Sequence, residues 1–93
     1  MQEPSAQDDL LAELLELAGR LNVEVRRLPM GGAGGGLATL RGRRILFVDL
    51  DAPTDVQLDV SAQGLARLDL AAALEGVYIR PALRALLEGA DRD

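Results

Sequence analysis

The most apolar run of the chain ends in two carboxylates one residue apart, Ile45-Leu46-Phe47-Val48-Asp49-Leu50-Asp51. Paired carboxylates at a strand end can offer hard oxygen ligands to a divalent cation. Asp55 and Asp59 follow Asp51 at intervals of four, which would place three carboxylates on one face of a helix. A second chemical feature precedes them. Five of the six residues 31–36 are glycine, and glycine backbones can cradle anions. Set above Asp49, Asp51 and Asp55, this loop makes a candidate site for a small ligand or a divalent metal. Each part also has a plainer reading. The run lacks the Gly-Lys-Ser/Thr of a phosphate-binding loop and leads instead into Leu37-Ala38-Thr39, as a mobile connection between strands would. Acids at a helix start are favoured by the helix dipole, and a carboxylate row is commonly a solvated face.

The rest of the chemical vocabulary is sparse. The 93-residue chain has no Cys and no His, and all ten basic residues are Arg. That excludes a disulfide framework, a thiol nucleophile, imidazole acid–base chemistry, the usual zinc ligands and lysine Schiff bases. The net charge of −5 has the wrong sign for a phosphate-backbone binder. Arg41, Arg43 and Arg44 form a local basic turn with no aromatic stacking beside it, so no nucleic-acid partner is expected. At 48% hydrophobic and 27% charged, the composition is that of a folded domain. Its only aromatic residues are Phe47 and Tyr78, so Leu, Val and Ala must build the core. The acidic N-terminus is unlike a secretory signal, and no apolar run approaches the roughly 20 residues of a membrane span, so a cytoplasmic location is expected. Arg without Lys, with abundant Leu, Ala and Gly, suggests a small protein of a GC-rich bacterium.

The elements that would position these residues can be read from periodicity. After a loose leader, residues 1–7, the spacing of Leu10, Leu11, Leu14, Leu17, Ala18 and Leu21 predicts a helix over 9–21, with Asn22 as a left-handed stop. Val23 to Leu28 alternates as a half-buried strand closed by Pro29. A loop over 30–36 follows, then a short strand over 37–41, a turn at Gly42 and a hairpin partner over 43–50. Its continuous apolar stretch, Ile45 to Val48, is expected to be the central strand with both faces covered. Pro53 starts a second helix in which Thr54 and Gln57 form a capping-box pair. Leu58, Ala62, Leu65 and Leu68 mark its buried stripe, and Gly64 within it signals a close packing approach. Residues 69–76 stay helix-prone and 77–79 look extended. Pro81 then opens a short helix over 82–88, stopped by Gly89 and followed by a solvated tail, residues 90–93. The expectation is one small α+β domain over residues 1–93, ordered helix–strand–hairpin–helix–short helix, with about three short strands and two or three helices packed on them.

Two resemblances bear on function. The stretch from Ile45 to Thr54 resembles the first motif of haloacid-dehalogenase-type phosphatases: an apolar strand, Asp-x-Asp and a following Thr. That resemblance implies Asp49 as nucleophile and Asp51 as acid/base beside Mg²⁺. The chain departs from it in having Ala52-Pro53 where the family has Gly, in lacking Lys, and in being short for that fold. Over residues 10–68 the order of elements is similar to the core of ImmA/IrrE-type zinc metallopeptidases. The helix ending in Ala18 to Asn22, the strand Val23 to Leu28, the glycine loop, the hairpin from Gly36 to Val48 and the helix with Gln57 in its first turn carry that similarity. The family's His-Glu-x-x-His segment then falls on Gln63-Gly64-Leu65-Ala66-Arg67, where none of its chemically necessary side chains is present. The resemblance therefore implies a catalytically inactive relative, a pseudo-metallopeptidase.

The sequence thus points to a non-enzymatic protein-interaction module with no cofactor, working through itself or another protein and most simply as a homodimer. A short sheet with open edges invites pairing. Leucines in excess of a small core's needs, Leu11, Leu15, Leu70 and Leu74, are the candidates for exposure at an interface, with Gly34 and Gly35 of the loop beside them.

Overall fold

The computed structural model describes residues 6–32, 35–68 and 78–91. Helix α1 (Ala6–Arg20) buries Leu11, Leu14, Leu15, Leu17 and Ala18. It ends where expected: the Leu21 N–H is shared between the Leu17 and Ala18 carbonyls, and Asn22 adopts a left-handed φ of 62°. Asn accepts that conformation at lower cost than most residues, so the chain can reverse at once into β1 (Val23–Leu28). Strands β2 (Gly35–Leu40) and β3 (Arg43–Asp49) form a hairpin closed by two residues, Arg41 and Gly42, both with positive φ (53° and 81°). Such a mirror-image turn matches the twist of the flanking strands.

The sheet order is β1-β3-β2, with β1 and β3 parallel and β2 and β3 antiparallel. The apolar stretch of β3 is therefore the central strand. To reach β2 the chain leaves β1 beside Asp49 and crosses over the C-terminal end of β3, a lateral step of about 9–10 Å, two strand spacings. The glycine loop makes that crossing.

Helix α2 (Thr54–Ala66) follows Pro53, which is its N-cap (φ −59°, ψ 155°) and lies outside the helix. The Thr54–Gln57 capping box does not form. Gln57 instead donates from Nε2 to the Ala52 carbonyl at 2.8 Å, because a proline N-cap has neither a side-chain acceptor nor an N–H to complete the reciprocal pair. Helix α3 (Pro81–Asp91) turns Leu83 and Leu87 inward. It continues through Gly89 instead of stopping there, and Ala90 beyond it packs on the core, so burial outweighs the glycine's helix penalty. The observed domain is α+β, three helices and a three-stranded sheet among the described residues.

One core joins α1 (Leu11, Leu14, Leu15, Leu17, Ala18), β1 and β3 (Val23, Leu46, Val48), α2 (Leu58, Ala62, Leu65), and Ile79, Leu83 and Leu87. Leu11 and Leu15 are thus buried within the monomer, not offered to a partner as the sequence suggested. Helix α1 is packed by β1, α2 and α3 together, and three neighbours bury a wider arc than one apolar stripe. Leu70, Leu74 and Gly34 lie outside the described residues, as does the helix-prone segment 69–76.

Gly64 confirms the close approach its position suggested. A Cβ there would stand 3.0 Å from the Leu37 Cβ and 3.4 Å from Leu46 Cδ1, so α2 is seated directly on β2 and β3. Gly64→Ala is expected to change stability by less than about 1 kcal/mol, because the gain in helix propensity offsets the squeeze. Gly64→Val recovers less helix propensity and brings two further methyl groups into the contact, so it should cost about 1–3 kcal/mol. Urea unfolding of both variants checks this ordering, and equal losses would show that α2 does not sit on β2 at this point.

Candidate functional site

The corner where the glycine loop passes the end of β3 is built by the two aspartates that drew attention in the sequence. Asp49 is 0% exposed, and its Oδ1 accepts the Met30 N–H at 2.8 Å and the Asp51 N–H at 2.9 Å. Asp51 in turn accepts the Gly31 N–H on Oδ2 at 2.9 Å. Backbone N–H groups of a loop that has left the sheet need acceptors, and a carboxylate at the strand end supplies several from one side chain. Gly31 and Gly32, with φ of 83° and 91°, let the chain turn so that these N–H groups face the carboxylates.

This arrangement assigns Asp49 and Asp51 to holding the loop. Asp49 is the last residue of β3, and Asp51 lies before Pro53, the N-cap of α2, which receives no side-chain cap bond. Asp55 is exposed in the first turn of α2, and Asp59 accepts the Gln63 amide at 3.2 Å. Among the described residues no group of three or more acidic side chains is arranged to hold a metal ion. The candidate ligand site of Asp49, Asp51 and Asp55 is therefore not assembled as a cluster. Gly35 belongs to β2, where its backbone passes close to that of Phe47. What the sequence could not reveal was the partner of Asp49, since Met30 lies 19 residues away and a backbone N–H carries no side-chain signal.

The segment aligned by resemblance with His-Glu-x-x-His lies on the last turns of α2. Gln63 is bonded to Asp59, Gly64 is pressed on Leu37, and Arg67 is exposed at the C-cap with its N–H on the Gly64 carbonyl. These positions serve packing and helix termination.

The largest unassigned feature is the sheet itself. By register, Val23, Val25, Leu37, Leu46 and Val48 share the face that meets the helices. The opposite face carries Glu24, Arg26 and Leu28 on β1, Arg43, Ile45 and Phe47 on β3, and Ala38 and Leu40 on β2. Among the described residues helices cover only the first face; on the second, the expected cover of β3 comes from strand neighbours, fully at Ile45 and in part at Phe47. Ile45 is buried under its neighbours, in a depression lined by Glu24, Arg26, Leu40, Arg41 and Arg43. Leu28 and Leu40 stand 46% and 52% exposed, and Phe47 is half-buried. The ion pair between Arg26 and Glu24 is exposed and adds little to stability. Alternation along β3 contained this face in principle. The sequence alone did not say how many layers the helices would supply.

Among the described residues no helix is long and apolar enough to cross a membrane. Comparisons with family models, with curated proteins and with solved structures find no significant match.

Proposed function

We propose that the chain is a non-enzymatic interaction module of the bacterial cytoplasm that associates with a second copy of itself through its sheet. The observation that carries this reading is the uncovered face. Among the described residues, helices lie on one side of this mixed sheet, and the other side carries the outward residues of all three strands. Exposed Leu28 and Leu40 and half-buried Phe47 and Ala38, above a buried Ile45, make the uncovered side apolar, with Glu24, Arg26 and Arg43 at its margins. An apolar centre with a polar rim is the composition of a protein–protein contact. The absence of His, Cys and Lys, and the engagement of Asp49 by backbone N–H groups, support the non-enzymatic part of the reading. The packing role of Gly64 and the helix-end role of Arg67 fit the same view of the chain as an inactive relative of the metallopeptidase core.

A native mass spectrum of the purified protein tests the proposal. The expected result is a species at twice 9.9 kDa without adducts. A monomer carrying a stoichiometric metal ion or small molecule would overturn it and return attention to Asp49, Asp51 and the glycine loop. A bare monomer at all concentrations would remove self-association.

A further inference from the structure

The two edges of the sheet differ. Strand β1 carries Glu24, Arg26 and Arg27 and is followed by Pro29, which are devices that discourage pairing along an edge. Strand β2, Gly35-Gly36-Leu37-Ala38-Thr39-Leu40, has no charge and no proline. Among the described residues no strand pairs with its outer side. The hairpin geometry tells which backbone groups are left there. A two-residue turn is closed by the hydrogen-bonded pair Leu40 and Arg43, so the N–H and C=O groups of Leu40 and Ala38 point to β3. Those of Leu37 and Thr39 then point away from the sheet. Thr39 is exposed, whereas Leu37 is half-buried with Gly64 of α2 close to its backbone nitrogen, so the Thr39 groups are the open part of this row.

The charges flanking β2 select the direction of pairing. At its C-terminal end stand Arg41, Arg43 and Arg44, all exposed. At its N-terminal end, across the glycine loop, stand Asp51 and Asp55, also exposed. An antiparallel neighbour of the same sequence would set the arginine end of each copy beside the aspartate end of the other, twice over. A parallel neighbour would oppose like charges at both ends. Antiparallel pairing is also the arrangement that a two-fold axis normal to the sheet produces, so one edge can serve both partners.

Building on the self-association reading, we propose that β2 pairs antiparallel with β2 of a second copy. The two-fold axis passes close to Leu37 and Ala38 and joins two sheets into one of six strands, in the order β1-β3-β2-β2-β3-β1. The uncovered faces then lie side by side in one plane; only Ala38 and Leu40 of both copies meet at the seam, so this edge contact is separate from any burial of Leu28 and Phe47.

Sedimentation velocity on the wild type and on Thr39→Pro tests this. Proline at Thr39 removes an outward N–H that no strand among the described residues uses, so the fold is kept while the edge is blocked. The expected result is a wild-type dimer and association weakened roughly tenfold or more in the variant. A cross-link provides a second readout, because the chain has no cysteine of its own. Ala38→Cys should be joined to itself by a short bismaleimide, whereas Asp55→Cys should not, since antiparallel pairing sets the two aspartate ends roughly 20 Å apart, a strand length. A dimer that survives Thr39→Pro and cross-links through Asp55→Cys but not Ala38→Cys would overturn the β2 edge and leave self-association through another surface. A wild type that is monomeric throughout would overturn both.

Discussion

Gly35→Ala is expected to cost about 3 kcal/mol or more, a large share of the stability of a domain this small. Two separate penalties coincide at this residue. Its φ of +85° lies where an L side chain is strained, at a cost of about 1–2 kcal/mol. In addition a Cβ would stand 2.2 Å from the Phe47 carbonyl oxygen and 2.8 Å from its carbon. Both are backbone atoms of the central strand and cannot rotate aside. The hairpin would have to open at the point where β2 joins the sheet, opposite Val48. Gly31 and Gly32 provide the control. Their φ values are similar, 83° and 91°, but nothing lies within 4 Å of an added Cβ, so Gly31→Ala and Gly32→Ala should cost only the strain, about 1–2 kcal/mol. Urea unfolding of the three variants separates the contributions. Equal losses would mean that the close approach of Gly35 to Phe47 does not exist in solution. Gly35 is an interaction candidate by sequence, but the close approach to Phe47 within the hairpin already accounts for its glycine.

Where single residues decide a conformation, the sequence was a good guide. Asn22 stops α1, Gly42 turns the hairpin (joined by Arg41, which the pattern assigned to the strand), Gly64 marks a helix seated on a strand, and Ile45 to Val48 is the central strand. Each of these rests on backbone geometry or local burial, which short-range pattern reports directly. Errors arose where a third body intervened. Leu11 and Leu15 look surplus to the core of so small a domain, but α1 meets β1, α2 and α3. Gly89 looked like a stop because its helix penalty is visible locally, while the packing of Ala90 that outweighs it is not. The apolar run of β3 predicts cover on both faces. No helix of the described residues lies over its outer side, yet Ile45 is buried and Phe47 half-buried there among their strand neighbours. In the aspartate corner the sequence supplied the residues and the position, but their partners are backbone N–H groups of a loop some twenty residues earlier.

That corner also yields the sharpest test between structural and chemical roles. Asp49→Ala should cost about 2–4 kcal/mol, because it strands the N–H groups of Met30 and Asp51 beside a buried position without an acceptor. Asp49→Asn keeps one carbonyl oxygen in nearly the same place and should lose less, about 1–2 kcal/mol. Asp51→Ala gives up a single exposed bond to Gly31 and should cost under about 1 kcal/mol. Amide hydrogen exchange adds a local readout: Asp49→Ala should deprotect Met30 and Asp51, and the glycine loop between β1 and β2 should open at lower free energy than the rest of the sheet. A residue kept for ligand chemistry behaves in the opposite way. Its removal commonly leaves stability unchanged or raises it, since binding groups are held at some cost to the fold. An Asp49→Ala protein as stable as the wild type would therefore argue that the carboxylate is retained for a ligand. A large loss confined to Asp49, with Asp51 nearly silent, is the signature of a side chain whose task is to carry the chain across the end of β3, and so to place β2 at the edge of the sheet.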